Sequence, residues 1–411
     1  MSSIQFARHA PIGAFEVSEA EMCVGGVPIG LLAARAGSTP FYAYSRRALS
    51  ERVAALRAEL PASVHLHYAM KANPMPAVVQ HLVGLVDGID VASIGEMKVA
   101  LDAGAQPSRV SFAGPAKSAR DVEQAVAAGI YLNLESELQL QYALESAERL
   151  GVAPNLAIRI NPSFELKSSG MKMGGGPKQF GVDESMLPAL VETMRKAGVS
   201  PRGFHIYCGS QNLNAQAIID AQNKTVDLAI RLCNELEVRL DWLNIGGGFG
   251  VPYFPGDQVL DVNLVGANLA ALAARAEREL HTQLHIELGR YLVAEAGVYV
   301  CRVIDVKDSQ GERFVIVDGG LNHNLAASGN LGQVIRKNYP VAIINRMNES
   351  ALMTQTITGP LCTPLDTMAY RMDLPVARPG DLIAVFLAGA YGPSASPLGF
   401  LSHPHPLELL V

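Results

Sequence analysis

The chain predicts an α/β fold, a closed (β/α)8 barrel with a carboxyl-terminal all-β domain that also takes in the amino-terminal segment. Three observations carry this expectation. First, between residues 65 and 289 short apolar runs alternate with helical patterns, which implies right-handed βαβ units and a parallel sheet. Second, there are eight such units over about 230 residues, the size of a closed barrel; an open doubly wound sheet is the alternative. Third, beyond residue 297 helical periodicity gives way to strand-like alternation punctuated by Pro and Gly.

The elements follow in order. Residues 1–35 read as a few short pieces, with Gly25-Gly26 turning into a helix start at Val27–Ala34. Ser38-Thr39-Pro40 is a break, Phe41–Tyr44 a short strand and Arg46–Leu60 a helix rich in alanine and leucine. The eight barrel strands are expected at His65–Met70, Gly88–Ala92, Arg109–Ala113, Tyr131–Glu135, Asn155–Asn161, Gly203–Tyr207, Trp242–Ile245 and His285–Glu287. Helical patterns separate them, such as Ala119–Ala128 and Ala215–Leu236. In the β domain, Val298–Val303 and Arg313–Asp318 alternate around the turn Ser309–Glu312, and Thr354–Thr358, Leu382–Phe386 and Leu407–Val411 are further strand-like runs. The expected division is 36–297 for the barrel, and 1–35 with 298–411 for the β domain, because chain termini often meet.

Composition narrows the function. The 411 residues leave room for two or three domains, and 49% are hydrophobic. A net charge of −6, without a basic run, speaks against nucleic acid as a partner. No apolar stretch approaches the roughly 20 residues of a membrane span, and the first ten residues carry no signal-peptide core. The five cysteines form no Cys-x-x-Cys, which fits reduced thiols in a cytoplasm rather than disulfides or structural zinc. His403-Pro404-His405 has no acidic or thiol neighbour and reads as a loop, so no metal is expected.

Chemistry in such a barrel sits at the carboxyl ends of the strands. There the sequence places Lys71, Asp90 with Ser93, Gly114, Glu135, Arg159 with Asn161, His205, Tyr207, Ser210, Gly246-Gly247-Gly248, Glu287 and Arg290. Pro74 stops the first strand just beyond Lys71. A lysine there is either a surface group or, once desolvated, an amine able to form a Schiff base. Gly246–Gly250 allows close backbone approach to a phosphate, although a second run, Gly174–Gly176, lies in the long polar loop Ser163–Gln179 and reads as a mobile lid. Glu287 either holds a cationic ring nitrogen or forms a local ion pair, and Arg290 suits a phosphate or carboxylate. Cys362, in the loop Gly359–Asp366, is either packing or a reactive thiol. Gly389-Ala390-Tyr391-Gly392 is a turn with a placed phenol.

Together, Tyr68–Asn73, Asp90–Glu96, Gly209-Ser210-Gln211, Gly246–Gly250, Glu287-Leu288-Gly289-Arg290, Gly359–Cys362 and Gly389-Ala390-Tyr391 resemble the fold-type III pyridoxal-phosphate decarboxylases of the diaminopimelate/ornithine group. The resemblance runs from about residue 25 to the end. It implies pyridoxal 5'-phosphate as cofactor and a homodimer with shared active sites. Lys71 would carry the cofactor and Glu287 would pair with its ring nitrogen. Gly246 to Gly248, Gly289, Ser210, Arg290 and Tyr391 would hold the phosphate, with Asp90 and Arg159 lining the ring. Cys362 would reach in from the partner subunit as proton donor once CO2 has left.

Several positions depart from the family pattern. Tyr207 stands where a ring-stacking histidine is usual, with His205 at the preceding alternate position. The family's acidic residue after the cysteine binds the substrate's distal amine; here it is Thr363, with Asp366 three residues on and Arg290 as a further substrate contact. Met171–Gly175, Gln179-Phe180-Gly181 and Cys362-Thr363-Pro364 are similar to the glutamyl-[acyl-carrier-protein] decarboxylase and exosortase-associated branch. The resemblance therefore implies decarboxylation of an L-amino acid or aminoacyl derivative, with a carrier-bound substrate. The alternatives are a decarboxylase of free meso-diaminopimelate, an alanine-racemase-like enzyme disfavoured by the cysteine loop and Glu287, and a cofactor-binding regulator without activity.

Overall fold

The computed structural model describes residues 12, 14–164, 171–172, 174–331, 333 and 337–411. It divides into two units, Arg52–Val251 with Leu260–Gly289, and Met1–Glu51 with Pro252–Val259 and Arg290–Val411.

The first unit is a closed barrel. Its strands, numbered 1 to 8 along the chain, are Val64–Ala69, Gly88–Val91, Val110–Phe112, Tyr131–Leu134, Asn155–Asn161, Gly203–His205, Trp242–Gly247 and Gln283–Leu288. All eight expected strands form, with small differences at their ends. Successive strands pair in parallel, and strand 8 returns to strand 1 with Leu284 opposite Val64 and Leu288 opposite Tyr68. Closure leaves no unpaired edge among them.

Alternation along each strand sorts the side chains. Leu66, Ile89, Ile158, Phe204, Leu243 and Ile286 are almost wholly buried, as strands covered on both faces require. The intervening polar residues meet inside. Tyr131 of strand 4 touches Trp242 of strand 7, rings 5.5 Å apart, and His205 of strand 6 lies 2.9 Å from Glu287 of strand 8. Neither strand pair is hydrogen-bonded in the sheet, so these contacts span the interior. Helices restart after the strand-end loops on polar caps. Ser93 accepts from the N–H of Glu96, Ser136 from Gln139, Asn214 from Ala217 and Asp261 from Leu264, which satisfies first-turn amides left without partners. Ser93 thus serves as a helix cap.

In the second unit the long strand Gly297–Ser309 organises an eight-stranded sheet. Its first half pairs with both Phe41–Tyr44 and Leu382–Val385, its second half with Glu312–Val317. Phe41–Tyr44 also pairs in parallel with Leu407–Leu410. Ile29, Leu32, Phe41, Val298, Val300 and Phe386 lie in its core. The sequence division placed Phe41–Tyr44 with the barrel, but the strand lies in this sheet, because local pattern shows a buried strand without showing its partner. Val341–Ile343 and Thr367–Pro375 were not foreseen as strands. Among the described residues no helix is long and apolar enough to cross a membrane.

Candidate active site

Strand 1 ends at Ala69, and Lys71 sits in the single 3-10 turn Met70–Ala72 that follows. The turn is held shut from both sides. The Tyr68 hydroxyl donates to the Asn73 carbonyl at 2.8 Å, and Asn73 Oδ1 accepts from the Met75 N–H at 3.1 Å. The ammonium of Lys71 lies 5.4 Å from the ring centroid of Tyr207, just beyond strand 6. A cation so placed is attracted to the ring face, so the two sequence-predicted residues do come together. Gly289 makes room for this turn, since a Cβ there would stand 2.8 Å from the Ala69 carbonyl oxygen and 2.9 Å from the Ala72 methyl.

Glu287 ends the barrel interior beneath them. Its carboxylate is buried, accepts from Asn244 Nδ2 at 3.2 Å and faces His205 Nε2 at 2.9 Å. Burial pushes this carboxyl up, but His205, with Lys71 and Arg159, outweighs burial and holds it down to about 2. Neither ring nitrogen of His205 has a well-aligned hydrogen-bond partner among the described residues, nor has Asp90 Oδ2. Asp90 Oδ1 lies 3.3 Å from His67 Nδ1. Burial opposes a charge on His67, yet Asp90 raises its pKa overall.

The glycine run forms the rim. Gly246 and Gly248 have φ of +71° and +75°, the left-handed region in which glycine is at ease. A Cβ on Gly248 would overlap the Gly209 carbonyl oxygen, and one on Gly247 the Glu287 carbonyl oxygen. The run therefore packs backbone to backbone against Gly209-Ser210. That pair in turn forms a short antiparallel ladder with Met171–Lys172. The polar loop read as a lid is thus anchored at this point; its residues 165–170 and 173 lie outside the described residues.

One cluster was missed as a unit. Glu135, just past strand 4, is buried and accepts from the N–H groups of Gly114 at 2.5 Å and Gly181 at 2.9 Å. Arg159 lies 3.4 Å and Lys117 3.5 Å from the same carboxylate. Arg159 also sits 4.9 Å over the ring of Phe180. Burial pulls Lys117 down to about 8 against the attraction of Glu135. The sequence signal was an acid at a strand end; Lys117, in the loop after strand 3, gave none.

The second unit carries the remaining predicted residues. Arg290 opens the turn Arg290–Val293, donates to the Tyr253 hydroxyl at 3.1 Å and lies 4.6 Å over the ring of Tyr391. Tyr391 has φ +55°, a strained backbone of the kind that gathers at functional sites. Cys362 is exposed, while the other four cysteines are buried. Asp366 is buried, and its two oxygens accept the N–H groups of Leu321 at 2.7 Å and Leu361 at 2.8 Å.

The barrel residues fit pyridoxal phosphate. They supply an amine on a constrained turn, a buried acceptor held ionised for a ring N–H, unsatisfied polar atoms on His205 and Asp90, and a glycine cradle that a Cβ would fill. Comparison with known proteins agrees. Residues 46–294 match the family model for the pyridoxal-binding domain of pyridoxal-dependent decarboxylases. The chain is 40% identical to an L-glutamyl-[BtrI acyl-carrier protein] decarboxylase of Niallia circulans over 379 residues, 90% of this chain and 88% of that protein. It is 33% identical to a diaminopimelate decarboxylase of Helicobacter pylori, over 90% of each chain. A crystal structure of diaminopimelate decarboxylase from Helicobacter pylori complexed with L-lysine superposes with a TM-score of 0.82 at 30% identity, covering 93% of this chain and 94% of that one. The chain therefore belongs to the pyridoxal-dependent decarboxylases of the diaminopimelate and ornithine group, carboxy-lyases that use pyridoxal phosphate.

Proposed function

We propose that this decarboxylase acts on an amino acid held on a carrier protein, or in a comparable amide, rather than on a free diamino acid. The observation that carries the reading is the loop after Cys362. A free diamino acid brings a distal ammonium, and burying it unpaired costs several kcal/mol. Thr363 offers a hydroxyl where a carboxylate would serve, and Asp366 is buried with each oxygen holding a backbone amide, Leu321 and Leu361. An acyl-linked side chain carries no such charge. The 40% identity to a carrier-protein decarboxylase supports the same reading. The 33% identity to a diaminopimelate decarboxylase supports free meso-diaminopimelate less well.

When bound, pyridoxal phosphate supplies an electron sink for the charge left as CO2 departs. Within this proposal Lys71 holds the cofactor, and Glu287, kept ionised, keeps a proton on its ring nitrogen. Tyr207 would stack on the ring, and Arg159 and Asp90 would line the cofactor. Gly246 to Gly248, Ser210, Gly289, Arg290 and Tyr391 hold the phosphate. Cys362 of a partner subunit returns a proton to the substrate carbon, which makes the enzyme a homodimer with shared sites. Unpaired thiols support a cytoplasmic setting. The test is CO2 release from glutamyl carrier protein, ornithine, lysine and meso-diaminopimelate. Release is expected to be weak or absent with the free diamino acids and higher with the tethered substrate; turnover of free meso-diaminopimelate near 10⁴ M⁻¹s⁻¹ or above would overturn the carrier reading and leave the family standing.

A further inference from the structure

At the amino-terminal end of the barrel, opposite the strand ends that carry Lys71 and Glu287, lies a second cavity of about 400 Å³. That end of a barrel ordinarily serves stability alone. Here it has an aromatic wall. His285 is stacked between His65, at 5.0 Å and 17°, and Trp242, at 5.5 Å and 8°, with Tyr131 edge-on to Trp242.

The wall also presents unmet polar atoms. Trp242 and His285 are 5% and 8% exposed, yet Trp242 Nε1 and His285 Nε2 have no hydrogen-bond partner among the described residues. An indole N–H can only donate, and leaving such a group unpaired costs about 1–3 kcal/mol. Ser111 accepts from Asn133 at 2.6 Å, which leaves its own hydrogen to give. At the rim, Arg109 makes no ion pair among the described residues, whereas both nearby carboxylates are already engaged, Asp87 by Arg57 and Asp241 by Arg202. The uncommitted groups are therefore mostly donors, and among the described residues lining the cavity the uncommitted charge is positive.

We propose that this cavity binds a small planar carboxylate, its anionic end on Arg109 and its apolar part against the edges of the stacked Trp242 and His285 rings. Arg suits a carboxylate because its donors form a planar fork. The ligand is a modulator rather than a substrate, since Lys71 stands at the other end of the barrel. The floor of the cavity makes such modulation physical. Asn244 lines it and hydrogen-bonds Glu287, and His67 lines it and contacts Asp90.

Trp242 is the only tryptophan in the chain, so its fluorescence reads this site directly. The holoenzyme is titrated with benzoate, excited where benzoate does not absorb, and with benzamide and benzylamine as neutral and cationic counterparts. Benzoate should give a saturable change in emission at millimolar concentration or below. Benzamide, benzylamine and the Arg109→Ala variant with benzoate should each require roughly tenfold more ligand or fail to saturate. Borohydride-reduced enzyme, with the cofactor fixed in the opposite mouth, should give the same benzoate curve. The proposal is overturned if benzoate does not saturate, if all three probes act alike, if Arg109→Ala leaves the curve unchanged, or if borohydride reduction abolishes it.

Discussion

Replacing Glu135 by Gln tests the charge cluster of the barrel mouth. The Gly114 and Gly181 amides sit on different oxygens of Glu135, so the variant keeps an acceptor for only one of them, and it removes the charge facing Lys117 and Arg159. A buried cation stripped of its partner costs about 3–5 kcal/mol. The two cations respond differently. Arg159 cannot release its proton. Lys117, already at about 8, can do so at pH 7 for about 1.4 kcal/mol. The lysine's share of the loss is thereby capped at about 1.4 kcal/mol, and with the Arg159 share the total should be at least about 4 kcal/mol at pH 7. It should grow towards pH 6, where deprotonation is dearer, and shrink by pH 9, where the native lysine is largely neutral as well. Urea unfolding at the three pH values measures it. A loss below about 1 kcal/mol at pH 7, or equal losses at pH 6 and pH 9, would refute the reasoning. The native protein carries a related signature. Folded Lys117 titrates below its usual 10.5, so between about 8 and 10.5 the unfolded chain binds more protons and stability rises with pH. That rise, roughly 3 kcal/mol from this group, should vanish in Lys117→Met.

Other outcomes follow from the proposed site. Lys71→Ala should abolish borohydride-trappable labelling and turnover, and labelling at another lysine would show that the cofactor is held elsewhere. Mixing inactive Lys71→Ala and Cys362→Ala subunits should restore about a quarter of native activity, since random reassortment leaves one intact site in each heterodimer; no recovery despite verified exchange would mean the site is built within one chain. Gly248→Ala forces a side chain into a left-handed backbone and onto the Gly209 carbonyl. It should cost about 1–3 kcal/mol of stability and weaken cofactor retention in equilibrium dialysis, and unchanged retention would remove the glycine run from the phosphate site.

Much of this was legible in the sequence, for physical reasons. Eight strands with helices between them leave a period-2 and period-3.6 record that barrel closure does not disturb. Lys71 was placed near a strand end because Pro74 sets the furthest point the strand can reach; the strand in fact stops at Ala69, and Lys71 lies in the turn that follows. The glycines of 246–248 were visible because only glycine tolerates those contacts. What was hidden depended on partners distant in sequence. Phe41–Tyr44 reads as a buried strand in any sheet, and only its pairing with Gly297–Ser309 and Leu407–Leu410 assigns it. Pro252–Val259 interrupts the barrel sequence yet belongs to the β unit. Glu135 was noted at a strand end, but its four donors come from Gly114, Lys117, Arg159 and Gly181, and no local pattern connects them. Asp366 read as a carboxylate near the cysteine, and its hold on the Leu321 and Leu361 amides, one of them distant in sequence, left no local pattern.

The parallel pairing of Phe41–Tyr44 with Leu407–Leu410 also bears on the order of synthesis. One strand emerges from the ribosome early, and its neighbour emerges hundreds of residues later. In the interval Phe41–Tyr44, aromatic and apolar throughout, presents an open edge of the kind that recruits other chains. Closing so long a loop is also intrinsically slow. The barrel, by contrast, is complete once Gln283–Leu288 has emerged. Nascent chains arrested between those two points would carry a finished barrel and an unfinished sheet, and that interval is where a chaperone has most to shield.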